Sequence, residues 1–235
     1  MKKIGELLYP HVCPFCGNVE VDEVCKKCRK KLKSVHEPTC KKCGKTISNT
    51  QTEYCRDCAE RIKEKACWYE QGRSLWIHRP PASDSIYQFK FRNRRVYAEF
   101  YAKEWMRRYG KLLEKWEIEA IVPIPMNRKK KHQRGFNQAE VLADRLSELS
   151  GIPVRKDLLI RTRQTEAQKT LSRNKRKGNL ERSFSTKTEG RLPDSVLLID
   201  DIYTTGNTIN EAAKALKKAG VRNTFFFTIS VGQDI

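Results

Sequence analysis

Eight cysteines in the first quarter of this 235-residue sequence have the spacing of metal ligands. They form four Cys-x-x-Cys pairs within 46 residues: Cys13/Cys16, Cys25/Cys28, Cys40/Cys43 and Cys55/Cys58. Two thiolates in a tight turn can face one ion, and two such turns complete the four-thiolate tetrahedron that Zn²⁺ prefers. The pattern therefore predicts two zinc ions. Because protein thiolates would fill every coordination position and leave none for a catalytic water, we expect both ions to be structural.

Other uses of these cysteines are weaker explanations. A disulfide framework belongs to an oxidising compartment, whereas residues 1–11 lack the apolar core of a secretory signal. Redox chemistry would need only one pair, in a thioredoxin-like βαβ context that is missing here. We predict that the cysteines at 13, 16, 25 and 28 share one ion and that those at 40, 43, 55 and 58 share the other, because this pairing closes the shorter loops, although crossed pairing remains open. The ninth cysteine, Cys67, begins an apolar stretch and is predicted to be a buried core thiol.

The second chemical constellation is an acidic pair followed by a hydroxyl-rich loop that contains a glycine. It consists of Asp200, Asp201, Thr204, Thr205, Gly206, Asn207 and Thr208. An apolar strand is predicted just before the acidic pair, at 196–199, and a helix at the end of the loop, at 207–219. At the carboxyl end of such a strand, unpaired N–H groups favour phosphate, and the carboxylates can hold sugar hydroxyls or Mg²⁺. The alternative is a structural acidic turn followed by a threonine N-cap.

The elements that must position this loop have the pattern of an α/β module. Helical spacing predicts helices at 83–92, 96–116 and 137–150, and apolar runs predict strands at 119–123 and 224–231. A strand, a helix and a strand in that order form a right-handed parallel unit. The Cys-x-x-Cys pairs end before residue 66, so we predict a double zinc ribbon at 1–66 and a parallel sheet flanked by helices at 67–235.

The net charge of +20 creates a field that concentrates polyanions such as nucleic acids or nucleotide phosphates. Between residues 128 and 182, 16 lysines and arginines stand against 6 acidic residues, a local balance of +10. The lysine run at 129–131 is equally consistent with phosphate contact and with a role in solubility. No stretch approaches the roughly 18–20 apolar residues that a spanning helix needs, so we expect no membrane insertion and a cytoplasmic location.

Residues 196–208 resemble the signature of type I phosphoribosyltransferases, which bind phosphoribosyl pyrophosphate (PRPP). The resemblance implies a type I phosphoribosyltransferase-like α/β fold in which Asp200 and Asp201 bind the ribose 2′- and 3′-hydroxyls. The loop from Thr204 to Thr208 would cradle the 5′-phosphate, and Mg²⁺ would accompany PRPP. Tyr203 is bulkier than the aliphatic residue that is usual at its position.

Two further segments are similar to the ComF/GntX family of competence-related proteins, whose pattern also includes a double zinc ribbon. They are 122–138, with Val-Pro-Ile-Pro125 and Arg134-Gly-Phe-Asn-Gln138, and 164–184, with Gln168 and Arg176. The second segment is similar to the flexible loop of that family. The implied function is a role in competence, which means DNA uptake and natural transformation.

The residues of these two segments also have a physical interpretation of their own. A proline-constrained turn ending at Pro125 presents rigid N–H groups, and a cis bond is available at 122–123 or 124–125, although trans is the commoner state of such bonds. Arg134 can make a charge-assisted contact to pyrophosphate. The basic, polar residues 161–182, including Gln168 and Arg176, suit a mobile lid over a diphosphate, and the alternative is a solvated charged loop.

Three functions remain open from the sequence. The first is a phosphoribosyltransferase in which Mg²⁺ and Arg134 stabilise departing pyrophosphate while an unidentified nitrogenous acceptor, unrelated to DNA, attacks ribose C1. Its catalytic residues are unknown, and Thr204 stands where 6-oxopurine phosphoribosyltransferases carry a base-directed carboxylate. The second is a competence protein that binds PRPP and contacts single-stranded DNA and DNA-uptake proteins. The third is a non-catalytic interaction protein, against which the intact loop argues.

Overall fold

The computed structural model describes residues 11–20, 22–162, 183–187 and 190–232. In the cysteine-rich head, β1 (His11–Val12) pairs antiparallel with β2 (Val19–Glu20), and two short helices follow, α1 (Lys26–Lys31) and α2 (Arg56–Lys63). Each helix begins directly after a cysteine, Cys25 or Cys55, which occupies its N-cap position. The second and fourth Cys-x-x-Cys pairs therefore lie in the first turns of helices, a feature that the cysteine spacing did not predict.

The remaining described chain forms an α/β arrangement. Its elements are β3 (Gln71–Ile77), α3 (Ala82–Phe91), α4 (Tyr97–Lys115), β4 (Ala120–Pro123), α5 (Arg128–Arg134), α6 (Gln138–Ser150), β5 (Leu159–Arg161), β6 (Phe184–Thr186), β7 (Ser195–Tyr203), α7 (Asn207–Ala219) and β8 (Asn223–Val231). The bounds of α3, α4, α6, α7, β4 and β8 lie within one residue of the predicted ones. Strands β3, β5 and β6 and helix α5 were not predicted.

Four strands form one parallel sheet in the order β3-β8-β7-β4. Parallel strands covered on both faces have continuous apolar sequences, which is why β7 and β8 were recognisable from their residues. The edge strand β3 contains Gly72, Arg73 and Ser74, which interrupt its apolar pattern, so the sequence did not indicate a strand there. Ser74 is nevertheless buried, because its hydroxyl group bonds the Thr228 hydroxyl of β8 at 2.7 Å. The parallel order of β7, α7 and β8 confirms the predicted strand–helix–strand unit.

The sheet separates two hydrophobic clusters, since successive side chains of a strand point to opposite faces. Leu197 and Ile199 of β7 belong to the cluster that includes α4 and α6, whereas Val196 and Leu198 belong to the cluster that includes α7. The head takes part in both clusters: three cysteines of its first half belong to the former, and all four of its second half belong to the latter. The predicted boundary near residue 66 stays a prediction.

Strand β7 is longer than predicted, because it continues through the acidic pair to Tyr203. Its ladder with β8 places Asp200 opposite Thr228 and Tyr203 opposite Val231. The prediction that the strand ends at residue 199 was therefore wrong, since pairing with a neighbouring strand is a long-range property that local polarity does not report. The acidic pair lies on the strand, and the loop begins at Thr204.

The proline-containing turn after β4 differs from the cis alternative considered above. Among the described residues, cis peptide bonds precede Pro38 and Pro81, and the bonds before Pro123 and Pro125 are trans. The ladder with β7 extends to the start of this turn, because Pro123 pairs with Ile199 and the N–H group of Ile124 donates to the Ile199 carbonyl at 2.9 Å. The chain therefore leaves β4 in an extended conformation. No helix in the described part of the chain is both long and apolar enough to cross a membrane.

Candidate zinc centres and phosphate site

The cysteines converge in two groups of four, Cys13/Cys16/Cys25/Cys28 and Cys40/Cys43/Cys55/Cys58. Within each group, all sulfur atoms lie within 4.8 Å of one another. A tetrahedron with Zn–S bonds of roughly 2.3 Å needs sulfur atoms about 3.8 Å apart. The Cys16–Cys25 and Cys43–Cys55 sulfur distances of 3.7 and 3.6 Å fit this requirement. The predicted sequential pairing is confirmed, and the two centres fit structural zinc.

The turns that present the sulfur atoms explain the glycines after Cys16 and Cys43. Gly17 and Gly44 have φ values of +78° and +72°, a backbone region that residues other than glycine rarely adopt. A Cβ atom on Gly44 would also lie 2.8 Å from the carbonyl oxygen of Gly72, so the turn packs directly on β3. Cys67 belongs to neither group of four, as predicted, but it is half-buried against the second cluster and not the fully buried core thiol that was expected.

The candidate phosphate site lies where β7 ends and α7 begins. Thr204 and Thr205 are exposed, and Gly206 adopts a left-handed conformation with φ +78° at the N-cap of α7. A Cβ atom on Gly206 would lie 2.2 Å from the Tyr203 hydroxyl oxygen, so the tyrosine ring lies directly against the loop backbone. The loop thus combines exposed hydroxyl donors with the unpaired N–H groups at the start of α7, a combination suited to an anion.

The acidic pair has a strongly perturbed electrostatic environment. Burial, and secondarily the negative charge of Asp201, raises the pKa of Asp200 to about 7. The N–H group of Asp201 donates to Asp200 Oδ1 at 2.8 Å, and the charges of Lys90 and Arg161 also act to lower this pKa. Asp200 therefore exchanges its proton close to neutral pH, and a cation or a hydroxyl donor at this position would favour the ionised form.

Lys90 of α3 is the direct partner of Asp201. Its Nζ atom lies 2.8 Å from Asp201 Oδ1, and the two side chains are only 14% and 16% exposed. His78, directly after β3, lies beside this pair, and its Nδ1 atom is 2.8 Å from the Ser230 hydroxyl oxygen. Burial, and secondarily the charge of Lys90, lowers the pKa of His78. The sequence offered no signal for either residue, because neither belongs to a motif with recognisable spacing.

Arg134 and the turn after β4 are placed by side-chain contacts of α5 and α6. Arg134 Nη1 donates to Gln138 Oε1 at 3.0 Å, and its guanidinium carbon lies 4.6 Å from the centre of the Phe91 ring. Asn137, which caps α6, donates from Nδ2 to the Ile124 carbonyl at 3.0 Å and thereby holds the turn that contains half-buried Pro125. The predicted contact of Pro125 and Arg134 with pyrophosphate stays a prediction.

The predicted lid falls largely outside the described residues, and both Gln168 and Arg176 lie there. The described residues on either side of it are close together, since β5 and β6 pair antiparallel. The N–H group of Thr162 donates to the Ser183 carbonyl at 3.0 Å. The charge of Arg161, at the beginning of the segment, acts on Asp200. The two ends of the segment therefore lie next to each other, and the end at Arg161 is near enough to Asp200 for the arginine charge to lower its pKa.

Comparison with known proteins identifies both parts of the chain. The double zinc ribbon domain family matches residues 4–59, and the phosphoribosyl transferase domain family matches residues 111–230, more than half of the chain. Competence protein ComFC of Bacillus subtilis (strain 168) is 30% identical over 212 residues, covering 89% of this chain and 73% of the relative.

Two other relatives match over shorter lengths. Competence protein F of Haemophilus influenzae is 39% identical over 105 residues, so the match covers 44% of this chain and less than half of that relative, 46%. DNA utilization protein YhgH of Escherichia coli (strain K12) is 31% identical over 150 residues, covering 60% of this chain and 63% of the relative. Together with the two cysteine centres and the parallel sheet, these matches show that the chain belongs to the ComF family, which joins a double zinc ribbon to a phosphoribosyltransferase domain.

Proposed function

We propose that this protein binds PRPP together with Mg²⁺ at the junction of β7 and α7, in the cytoplasm, and that it acts in DNA uptake. The observation that carries the proposal is the direct succession of the acidic pair at the end of β7, the left-handed Gly206 and the N-terminus of α7. This arrangement brings two carboxylates and the unpaired N–H groups of a helix N-terminus into one short segment.

The residues of the site have complementary tasks in this proposal. Asp200 and Asp201 accept hydrogen bonds from the ribose hydroxyls, and their oxygens are the ligand type that Mg²⁺ prefers. The N–H groups from Thr205 to Thr208, with the threonine hydroxyls, hold the 5′-phosphate. Lys90 has to give up part of its contact with Asp201 when the ribose binds, and its ammonium group is then available to the diphosphate.

A transfer reaction is the less supported part of the proposal. A nitrogen atom of the acceptor would attack ribose C1 with its lone pair, the C1–O bond would break, pyrophosphate would leave with the bonding electrons, and the N–H proton of the acceptor would pass to the departing pyrophosphate or to water. Thr204 is exposed and cannot act on a base as a carboxylate can, which argues against a 6-oxopurine acceptor. Arg134, Gln168 and Arg176 are the proposed contacts of the pyrophosphate.

Calorimetry with PRPP and Mg²⁺ tests the binding site. We expect the double variant Asp200→Ala/Asp201→Ala to lose measurable binding, because both ribose contacts and the metal ligands disappear. The double variant Asp144→Ala/Asp157→Ala removes two carboxylates whose side chains are 44% and 54% exposed, and it should bind as the unmodified protein does. Unchanged affinity in the first double variant would refute the assignment of the site.

The role in DNA uptake is supported by the names of the three relatives, two of which are competence proteins and one a DNA utilization protein. A surface of this chain also suits contact with single-stranded DNA. Tyr87 and Phe91 of α3 are 55% and 52% exposed, and their ring centres are 4.9 Å apart. Arg134 lies on the Phe91 ring. We call Tyr87 and Phe91 the aromatic pair.

Exposed basic residues accompany the aromatic pair. They are Arg92, Arg94 and Arg95 after α3, and Arg128, Lys129, Lys130 and Lys131 on α5. Proteins that bind single strands without sequence preference combine such charges, which follow the phosphates, with aromatic side chains, on which the bases stack. Stacking contributes roughly 1–3 kcal/mol per base, so the aromatic pair could supply much of the affinity for a short strand.

Fluorescence anisotropy with a labelled oligothymidylate at about 50 and about 200 mM salt tests this surface. We expect Tyr87→Ala/Phe91→Ala to weaken binding about fivefold or more, whereas Leu149→Ala, at a site 45% exposed, should have no effect. The charge-reversing double variant Lys129→Glu/Lys130→Glu should lower both the affinity for the oligothymidylate and the salt dependence of that affinity. Binding that is independent of salt and of the aromatic pair would contradict the proposed DNA contact.

The alternatives are transfer to a small acceptor unrelated to DNA and a purely non-catalytic interaction. A screen of nucleobases and small amines for pyrophosphate release distinguishes them. Release with one acceptor but no DNA binding would favour the first alternative. PRPP binding without release, together with DNA binding, is the result that the proposed function predicts in its simplest form, in which PRPP acts as a bound ligand.

A further inference from the structure

The second half of the zinc head reaches the phosphate loop through one arginine. Arg61 lies on α2, one turn after the ligand Cys58. Its Nη2 atom donates to the carbonyl oxygen of Thr205 and to Oδ1 of Asn207, the latter at 2.6 Å. These two acceptors lie on either side of Gly206, so a single guanidinium group spans the part of the loop that has the left-handed conformation.

A second set of contacts holds the start of α7 against the chain that leaves α2. Asn210 is buried, and its side-chain oxygen accepts a hydrogen bond of 2.9 Å from the N–H group of Trp68. Its Nδ2 atom donates to the carbonyl oxygen of Ala66 at 3.0 Å. The first helical turn after the phosphate loop is therefore bonded to the segment that connects the head to β3.

A third set of contacts connects a zinc ligand to the loop through two tyrosine side chains. The sulfur atom of Cys58 lies 3.4 Å from the Tyr69 hydroxyl oxygen, which lies 2.8 Å from the hydroxyl oxygen of Tyr203. The Tyr203 ring stacks on Phe226 with ring centres 4.9 Å apart. Because Tyr203 supports Gly206 from below, its unusual size in this signature has a structural explanation: the tyrosine reaches the zinc head, which an aliphatic residue would not.

A contribution to stability does not by itself explain the position of the Arg61 side chain. Its Nη1 atom is buried, and none of the described residues offers it a hydrogen-bond acceptor. A buried donor without a partner costs about 1–3 kcal/mol, so an arginine in this position needs a compensating role. The two contacts of Nη2 with the loop provide that role, since they restrain backbone and side-chain atoms that would otherwise have to be ordered when a ligand binds.

We propose that Arg61 is a positioning residue for the 5′-phosphate loop, and that the second zinc centre determines PRPP affinity through it. The proposal rests on the proposed function, because it assumes that PRPP binds at this loop. It predicts that the head is part of the ligand site and not an independent module. The effect should be confined to the 5′-phosphate, because Arg61 contacts the 205–207 segment and no residue of the acidic pair.

The test compares variants of two arginines on the same helix by calorimetry and zinc analysis. Arg61→Ala should retain two zinc ions per chain and lose at least about tenfold in PRPP affinity, the change that corresponds to a charge-assisted bond of ordinary strength. Arg56→Ala is the matched control, since Arg56 is exposed and its ion pair within the described part of the chain is with Glu60 at 3.2 Å. Arg61→Lys, which keeps one donor toward the loop, should restore part of the affinity.

Two fragments of the ligand separate positioning from general damage. With Mg²⁺ present, Arg61→Ala should weaken the binding of ribose 5-phosphate and leave that of pyrophosphate unchanged. Equal loss for both fragments, or full affinity for PRPP in Arg61→Ala, would overturn the proposal. If Arg61→Ala loses zinc, Asn207→Ala decides, because it removes the acceptor without altering the head and should show the same fragment selectivity. Failure of the unmodified, zinc-loaded protein to bind PRPP would instead refute the proposed function.

Discussion

The carboxyl group of Asp200 should make PRPP affinity depend on pH near neutrality. Burial raises its pKa to about 7, so about one-tenth of the protein carries the ionised group at pH 6 and about nine-tenths at pH 8. Ribose hydroxyl groups and Mg²⁺ both prefer the ionised carboxylate. If only that form binds, the contribution of Asp200 to affinity rises about tenfold between pH 6 and pH 8, and binding at pH 6 releases close to one proton.

The sign of the effect on stability is opposite to the sign for binding. In the folded protein without ligand, the pKa of Asp200 lies above its usual value of 3.8, so the folded state holds this proton more tightly than the unfolded state does. The contribution of Asp200 to stability is therefore largest below pH 3.8 and is lost as the pH rises to about 7. Bound ligand should reverse this trend, because it favours the ionised group.

Calorimetry in two buffers with different ionisation enthalpies measures the released proton directly. PRPP has phosphate groups that also titrate near pH 6, so the quantity to compare is the difference between the unmodified protein and Asp200→Asn. Lys90→Met provides a second check: the charge of Lys90 lowers the pKa of Asp200, so its removal should move the pH midpoint of binding upward. Equal proton release by the unmodified protein and Asp200→Asn would refute the reasoning.

Two further predictions concern the loop and the zinc centres. Gly206→Ala should lower PRPP affinity more than tenfold and also destabilise the fold, because its Cβ atom would lie 2.2 Å from the Tyr203 hydroxyl oxygen. Gly151→Ala is the control, since Gly151 has a similar φ of +75° and no atom would lie within 4 Å of the new Cβ. Calorimetry and thermal unfolding compare the two variants. Equal effects of the two substitutions would contradict the close approach at Gly206. Cys58→Ser should reduce the zinc content from two ions per chain to one, whereas Cys67→Ser should retain both, as measured by elemental analysis. Retention of both ions in Cys58→Ser would contradict the assignment of this ligand.

Much of the architecture could be predicted from local sequence features. The four Cys-x-x-Cys pairs predicted two zinc centres, because ligand spacing depends on the geometry of one turn. Hydrophobic spacing predicted α3, α4, α6 and α7 within one residue, because each of these helices buries one face of its own sequence. The roles of Asp200 and of the loop from Thr204 to Thr208 could be predicted as well, and these roles stay predictions that the experiments above test.

Several features could not be predicted, because they depend on which elements meet. Strand β3 was missed because its polar Ser74 is satisfied by a strand more than 150 residues further along the chain. The extension of β7 to Tyr203 depends on its ladder with β8. Exposure of the aromatic pair is likewise a property of packing, since helical spacing alone does not say which face of α3 is covered.

The residue types that perform chemistry, their spacing and the strand and helix on either side of the phosphate loop were determined by the sequence itself, because they are properties of contiguous chain. Tertiary structure alone decided which cationic side chains contact the acidic pair and the loop. Lys90 reaches Asp201, and Arg61 reaches Asn207 across 146 positions of sequence. In a chain with 48 lysines and arginines, composition cannot single out these two, and only the packing of α2 and α3 against the carboxyl end of the sheet does so.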